Sequence, residues 1–74
     1  MTPAPEGPIY WREGDHVMRF SQGEARPLPL READALLSFY RTEGPKGDRF
    51  TRDYMARCFA ELHAALGAVR RAAA

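Results

Sequence analysis

The stretch "IYWREGDHVMRF", residues 9–20, decides how this chain folds. Its ends, "IYW" and "VMRF", are rich in the β-branched and aromatic residues that favour strands. Glu13-Gly14-Asp15 stands between them, and Gly14 can supply the positive φ that a tight turn needs. The stretch therefore reads as a β-hairpin. Side chains alternate across a strand, so Ile9 and Trp11 share one face, and Met18 and Phe20 share one face of the second strand. Pairing those two faces gives an apolar layer, which places Trp11, Met18 and Phe20 in the core. Tyr10, Arg12, Val17 and Arg19 then line the other face.

Working outward, "SQGE" (residues 21–24) reads as a second turn with Gly23 at its flexible position. "ARPLPL" (25–30) adds a short third strand, which Pro27 confines to an edge or an early end. Strands are expected at about 9–12, 16–20 and 25–28. On the N-terminal side, "MTPAPEGP" holds three prolines and a glycine in eight residues, which predicts an extended lead-in over residues 1–8. It has no basic region followed by an apolar one, so it does not resemble a signal peptide.

Two helical patterns follow. In "LREADALLSFYRTEG" (30–44), Leu30, Ala33, Leu36, Leu37 and Tyr40 recur at steps of three and four, predicting a helix over about 31–43. Glu32 and Asp34 lie early and Arg41 late, as the helix dipole favours, and Gly44-Pro45 is a stop. In "TRDYMARCFAELHAALGAVRRAAA" (51–74), Met55, Cys58, Phe59, Leu62, Leu66 and Val69 form one stripe, predicting a helix over about 52–71. Thr51 reads as its N-cap, with Phe50 and Met55 as a hydrophobic staple. The fold class is α+β: an N-terminal β-hairpin or three-stranded antiparallel meander, then an αα-hairpin, forming one small domain over 9–74. The predicted core is Trp11, Met18, Phe20, Leu36, Leu37, Tyr40, Met55, Phe59, Leu62 and Leu66.

At 74 residues a single core is thin, because surface outpaces volume in so short a chain. There is one cysteine, so no intrachain disulfide forms, and Cys58 on the apolar stripe reads as a buried thiol. No apolar run approaches the roughly 20 residues of a membrane span, and cytoplasmic residence is the expectation. The formal net charge is +1, with ten arginines to one lysine. The arginine and alanine usage suggests a GC-rich genome, and the overall look is bacterial or phage-like. Residues 46–74 carry a mild basic excess through Lys46, Arg49, Arg52, Arg57, Arg70 and Arg71 against Asp48, Asp53 and Glu61.

The chemistry-bearing residues form no catalytic or metal pattern. His16, Cys58 and His63 are the available soft or imidazole ligands. Cys58 and His63 lie about 140° apart round one helix, and no zinc, EF-hand or metalloprotease spacing is present, so neither a metal nor a cofactor is expected. The serines and threonines have no neighbouring base. For catalysis, Tyr10, Trp11, His16 and His63 are the residues to test. "TEGPKGDRFT" (42–51) brings Lys46, Arg49 and Arg52 to a helix start, a place that can hold an anion or a nucleic-acid phosphate, although the stretch is not a P-loop.

The remaining signal is a smooth ridge. Ala56, Ala60 and Ala64 recur every four residues beside the apolar stripe, with Gly67 beyond them and Arg70 at the rim. Alanine is also the best helix former, so the ridge either seats the first helix or meets another molecule. Phe39 falls off the main stripe of its helix and joins the interaction candidates, and Tyr10 and Val17 stand outside the predicted inner face. The sequence points to a small non-enzymatic protein-interaction or regulatory module that binds a protein partner, with self-pairing into a homodimer as one form of this. The alternative is a nucleic-acid binder using the basic loop and the start of the second helix, and a small enzyme stands behind both.

Overall fold

The computed structural model describes residues 7–73. The lead-in expected over residues 1–8 lies outside the described residues as far as residue 6. At its end, the Gly7 carbonyl accepts a hydrogen bond from Arg57 Nη2 at 2.6 Å.

Three strands come first: β1 (Tyr10–Glu13), β2 (His16–Ser21) and β3 (Glu24–Leu28). They form one antiparallel sheet in the order β1-β2-β3, the expected meander. Gly14 has φ 61° in the first turn, so glycine sits where a two-residue hairpin loop requires positive φ. The second turn places both Gln22 (φ 54°) and Gly23 (φ 80°) in the left-handed region. Two positive angles in succession give the twist that suits flanking strands, and Gln22 bears the steric cost of a side chain there.

Helix α1 (Leu30–Glu43) follows directly. Pro29 precedes it with ψ 142°, and its carbonyl accepts the Ala33 amide at 3.0 Å. A proline has no N–H to leave unpaired at a helix start. One 3-10 turn, Gly44–Lys46, follows α1, because Pro45 cannot continue the α-helical ladder. Gly44 is buried, and a Cβ there would stand 3.4 Å from Met55 Cβ.

Helix α2 (Arg49–Ala73) starts earlier than the sequence suggests. Asp48, not Thr51, caps it: Asp48 Oδ1 accepts the Thr51 amide at 2.8 Å, and the Asp48 carbonyl accepts the Arg52 amide at 2.8 Å. Thr51 falls in the first turn. Phe50 is therefore already helical and 80% exposed, so no staple forms.

The domain measures 37 × 33 × 15 Å, the thickness of one sheet and one helical layer. Helix α2 lies across β1 and β2, and α1 packs against α2. The buried core is Tyr10, Val17, Leu28, Ala33, Tyr40, Cys58, Leu62, Ala65, Leu66 and Val69. Leu36, Leu37, Met55 and Phe59, all expected there, pack at its margin together with Ile9.

The sheet presents the face opposite to the expected one. Tyr10 and Val17 are 2% and 0% exposed, whereas Trp11, Met18 and Phe20 are half-buried and pack outside the core. The reason lies in how little of the sheet the helices cover. The row Arg12–Val17–Leu28 and the row Tyr10–Arg19–Arg26 face the helices, but only Tyr10, Val17 and Leu28 are buried beneath them. Arg12 and Arg26 stay exposed and turn back to their own hairpins, Arg12 Nε to the Gly14 carbonyl at 2.5 Å and Arg26 to Glu24.

Candidate interaction surfaces

The outward face of the sheet is assembled by register. Trp11 pairs with Met18 and Met18 with Pro27, giving one cross-strand row. Phe20 pairs with Ala25, and its amide donates to the Ile9 carbonyl at 2.8 Å. Direct cross-strand neighbours stand about 5 Å apart, so these side chains cover one another. Trp11 Nε1 donates to Glu13 Oε2 at 2.7 Å, which holds the indole down along its strand. Charge enters this face at its hairpin end, where Glu13 pairs with His16. Ala25 and Pro27 leave the β3 edge low, and Trp11 leaves the β1 edge high.

The inward face is a polar lattice built on a small apolar patch. Glu61 of α2 clasps the first strand: its Oε1 accepts the Ile9 amide at 2.7 Å and the Tyr10 amide at 3.2 Å, and its Oε2 accepts Arg57 Nε at 3.0 Å. Burial pushes the Glu61 carboxyl up, but the Arg57 guanidinium and the two backbone donors outweigh burial and hold it below the ordinary glutamate value. Tyr10 and Tyr40 share a hydrogen bond between their hydroxyls at 2.5 Å, with the rings edge to face at 6.2 Å. Cys58 is fully buried in the same core cluster as this tyrosine pair. Burial raises both Tyr10 and Tyr40 above the ordinary phenol range, and it raises Cys58 as well. The thiol is buried and protonated, as expected of a packing cysteine.

Arg19 sits at the centre of this face. Its guanidinium lies 5.8 Å from the Tyr10 ring centroid, and Nε is buried without a hydrogen-bond partner.

The residues singled out in the sequence are dispersed. Ala56, Ala60 and Ala64 face away from the core and are exposed, and Gly67 is half-buried against the Arg71 side chain. The ridge therefore does not seat α1, and Ala33 and Ala65 are the small residues buried in the core. Arg70 is tied to Asp34 at 2.7 Å. Phe39 is 47% exposed, with its ring edge-on to Tyr40 at 5.7 Å. Lys46 pairs with Glu43 at 3.1 Å, and Arg49 is exposed. Arg52 and Ala56 do come together, on an apolar cleft of about 340 Å³ between the end of α1 and the start of α2, with Arg41 over the Phe59 ring at 5.7 Å. At the helix start the Thr51 amide is already held by Asp48, the chain's own carboxylate, in the position an outside anion would take.

His63 stacks on Phe59 at 5.6 Å, and His16 stands at the exposed hairpin end beside Asp15, so neither meets Cys58. Among the described residues no three His, Cys, Asp or Glu side chains converge as metal ligands, and no helix is long and apolar enough to cross a membrane. Sequence reasoning missed the Glu61 clasp and the Tyr10–Tyr40–Cys58 cluster. Their partners lie far apart in the chain, and no spacing rule connects them. The arginines at 12, 19 and 26, one on each strand and all on one face by register, were a legible signal that this face is only partly covered.

Comparison with protein families, curated proteins and solved structures finds no match for this chain.

Proposed function

We propose that this chain is a small non-enzymatic protein-interaction module, and that its first partner is a second copy of itself, stacked through the outward face of the sheet. One observation carries the reading. The sheet turns its arginine-bearing face toward the helices and its apolar face, Trp11, Met18, Phe20, Ala25 and Pro27, away from them. An apolar sheet face is normally covered by a second layer. In this domain the helical layer lies on the other side.

A second copy fits by shape. A two-fold axis parallel to β2 lays β1 of one protomer over β3 of the other, so the high Trp11 edge meets the low Ala25–Pro27 edge twice. This is the self-complementary contact of a two-fold dimer with aligned sheets. The face is about 15 Å across three strands and about 17 Å along them, from strand spacing and rise. That footprint falls below the roughly 800 Å² per partner of a standard interface, so the association is weak and depends on concentration.

The test uses Trp11, the single tryptophan, as a probe inside the surface. Sedimentation and Trp11 emission are followed together from low micromolar to millimolar protein. A rise in mass with a blue shift of Trp11 supports the reading. Met18→Lys, at the centre of the face, should keep the helical circular dichroism and abolish both changes. A wild-type chain that stays monomeric at millimolar concentration refutes self-association.

A further inference from the structure

On the opposite side of the sheet from the stacking face, we infer that Arg19 is a docking point for a carboxylate carried by an acidic, leucine- or phenylalanine-bearing segment of a second protein. Three observations meet at this residue.

The first is the state of the guanidinium. Arg19 is half-buried and, among the described residues, makes no ion pair and no hydrogen bond, with its Nε sealed from solvent. Among the described residues the other partly buried charges are matched: Glu61 has Arg57, Arg57 also binds the Gly7 carbonyl, and Glu43 has Lys46. An arginine presents a planar fork of donors that fits a carboxylate in two parallel hydrogen bonds. The two Nη nitrogens also lack an acceptor among the described residues and, unlike Nε, are not sealed from solvent, so they are the donors that an incoming carboxylate reaches.

The second is space beside this residue. One cleft of about 350 Å³ runs from Arg19 past Tyr10, Tyr40 and Tyr54 to Ser21 and Gln22. Another of about 400 Å³ runs from Arg19 between Leu28 and the Ala35, Leu36 and Phe39 side of α1. The first offers hydroxyl and amide groups and the second offers apolar wall. A ligand with an acidic group next to an apolar one matches the pair. Glu32 also lines the second cleft without pairing with Arg19, and it disfavours ligands with an acid at that end.

The third is the rim. Phe39 and Tyr54 are among the most exposed large apolar residues of the chain, at 47% and 49%, and each stands on one of the two clefts. Rigid aromatics around a central arginine are the usual composition of an energetic centre in an interface. Of the registered neighbours of Arg19, Tyr10 is a neutral phenol and Arg26 is paired with Glu24, so neither supplies Arg19 with an acceptor.

The test reads the Arg19 Nε–H resonance by NMR, which reports directly on the unpartnered donor. The probe is an acetylated and amidated peptide of alternating leucine and glutamate, and its control replaces each glutamate by glutamine. The glutamate peptide should shift the Arg19 Nε–H signal and the amides of Ser21 and Gln22 with a roughly millimolar or tighter midpoint, weakened by salt. The glutamine peptide should leave them in place. Arg19→Gln should weaken binding at least tenfold, read at the Ser21 and Gln22 amides. Should that variant fail to fold, Arg19→Lys keeps the charge and stem but loses the fork, and a several-fold loss is expected. The inference is overturned by an Arg19 signal that does not move with the glutamate peptide. It is overturned equally by the same shift with the glutamine peptide, or by inorganic phosphate saturating the site as well as the peptide does.

Discussion

The two faces of the sheet differ by a single step in register, yet they are held by different physics. The outward face, Trp11, Met18, Phe20, Ala25 and Pro27, is apolar throughout its middle and is tied to the domain by little more than its own strands. The inward face carries Arg12, Arg19 and Arg26, yet it supplies Tyr10, Val17 and Leu28 to the core and is clasped by Glu61 and Tyr40. Apolar content therefore does not decide which face a small sheet buries. The side with specific partners on the helices wins, and the hydrophobic surplus is left as surface. That surplus is the surface on which the proposed association rests.

The sharpest way to break this contrast is truncation on each face. Tyr10→Ala removes a buried ring and orphans the Tyr40 hydroxyl, and it should cost about 3–5 kcal/mol, enough to unfold a domain this small. Trp11→Ala, one residue along and on the other face, should cost under about 1 kcal/mol in dilute monomer. Urea melts at low micromolar protein compare the two directly. Equal losses would mean that the faces are energetically alike.

Next comes the clasp. Glu61→Gln leaves the amide oxygen as a weaker acceptor for Ile9 and Tyr10 and loses the charge that Arg57 matches, at a cost of about 2 kcal/mol. The native carboxyl sits below its ordinary value of 4.5, so the folded state binds the proton less readily than the unfolded one. Its contribution is complete above pH 4.5 and drains away as pH falls through the lowered value. Melting temperatures from pH 7 to pH 3 should fall for the wild type and flatten for Glu61→Gln. An unchanged acid slope in the variant rules the clasp out as a source of stability.

The tyrosine pair gives a smaller effect at the other end of the scale. Both phenols are raised above 10.0, chiefly by burial, so the folded state keeps protons that the unfolded state releases. Stability from the pair is full below pH 10.0 and is lost as pH rises beyond it. Tyr40→Phe should cost about 1 kcal/mol at neutral pH and make alkaline unfolding, followed by tyrosinate absorbance, less steep. A steeper alkaline transition in the variant would contradict the shared hydrogen bond.

Smallest of all is the helical ridge. Ala60→Glu changes an exposed position and should move stability by less than about 0.5 kcal/mol, and it should leave the proposed self-association unchanged in sedimentation. A loss of association in this variant alone would transfer the interface from the sheet to α2.

The element pattern was readable because each element announces itself locally. Gly14 and Gly23 marked the turns, Pro45 marked the stop, and the Leu62–Leu66–Val69 stripe marked the buried side of α2. The choice of sheet face was not readable in the same way. Ile9, Trp11, Met18 and Phe20 are the more apolar set, and nothing within the hairpin reveals that Glu61, some fifty residues on, will bind the first strand from the other side. The helix start at Asp48 was missed for a smaller reason. Asp48 and Thr51 are both good caps, and the earlier one captures the helix when no proline lies between them. The candidate site suffered from the same blindness to distance. In the sequence Arg19 reads as a member of the outer face, beside a candidate nucleic-acid stacking platform of Tyr10 and Trp11, and its partial burial follows from the face inversion.

The Glu61 clasp also sets an order of events during synthesis. Both β-hairpins can close within their own residues, but the first strand is fastened by a side chain 52 positions later, and its ring waits for Tyr40. A growing chain therefore carries its finished sheet with neither face covered until most of α2 has left the ribosome. Throughout that interval the Trp11 face and the Tyr10 face are equally open, and only the arrival of the last helix tells the chain which of them is the inside.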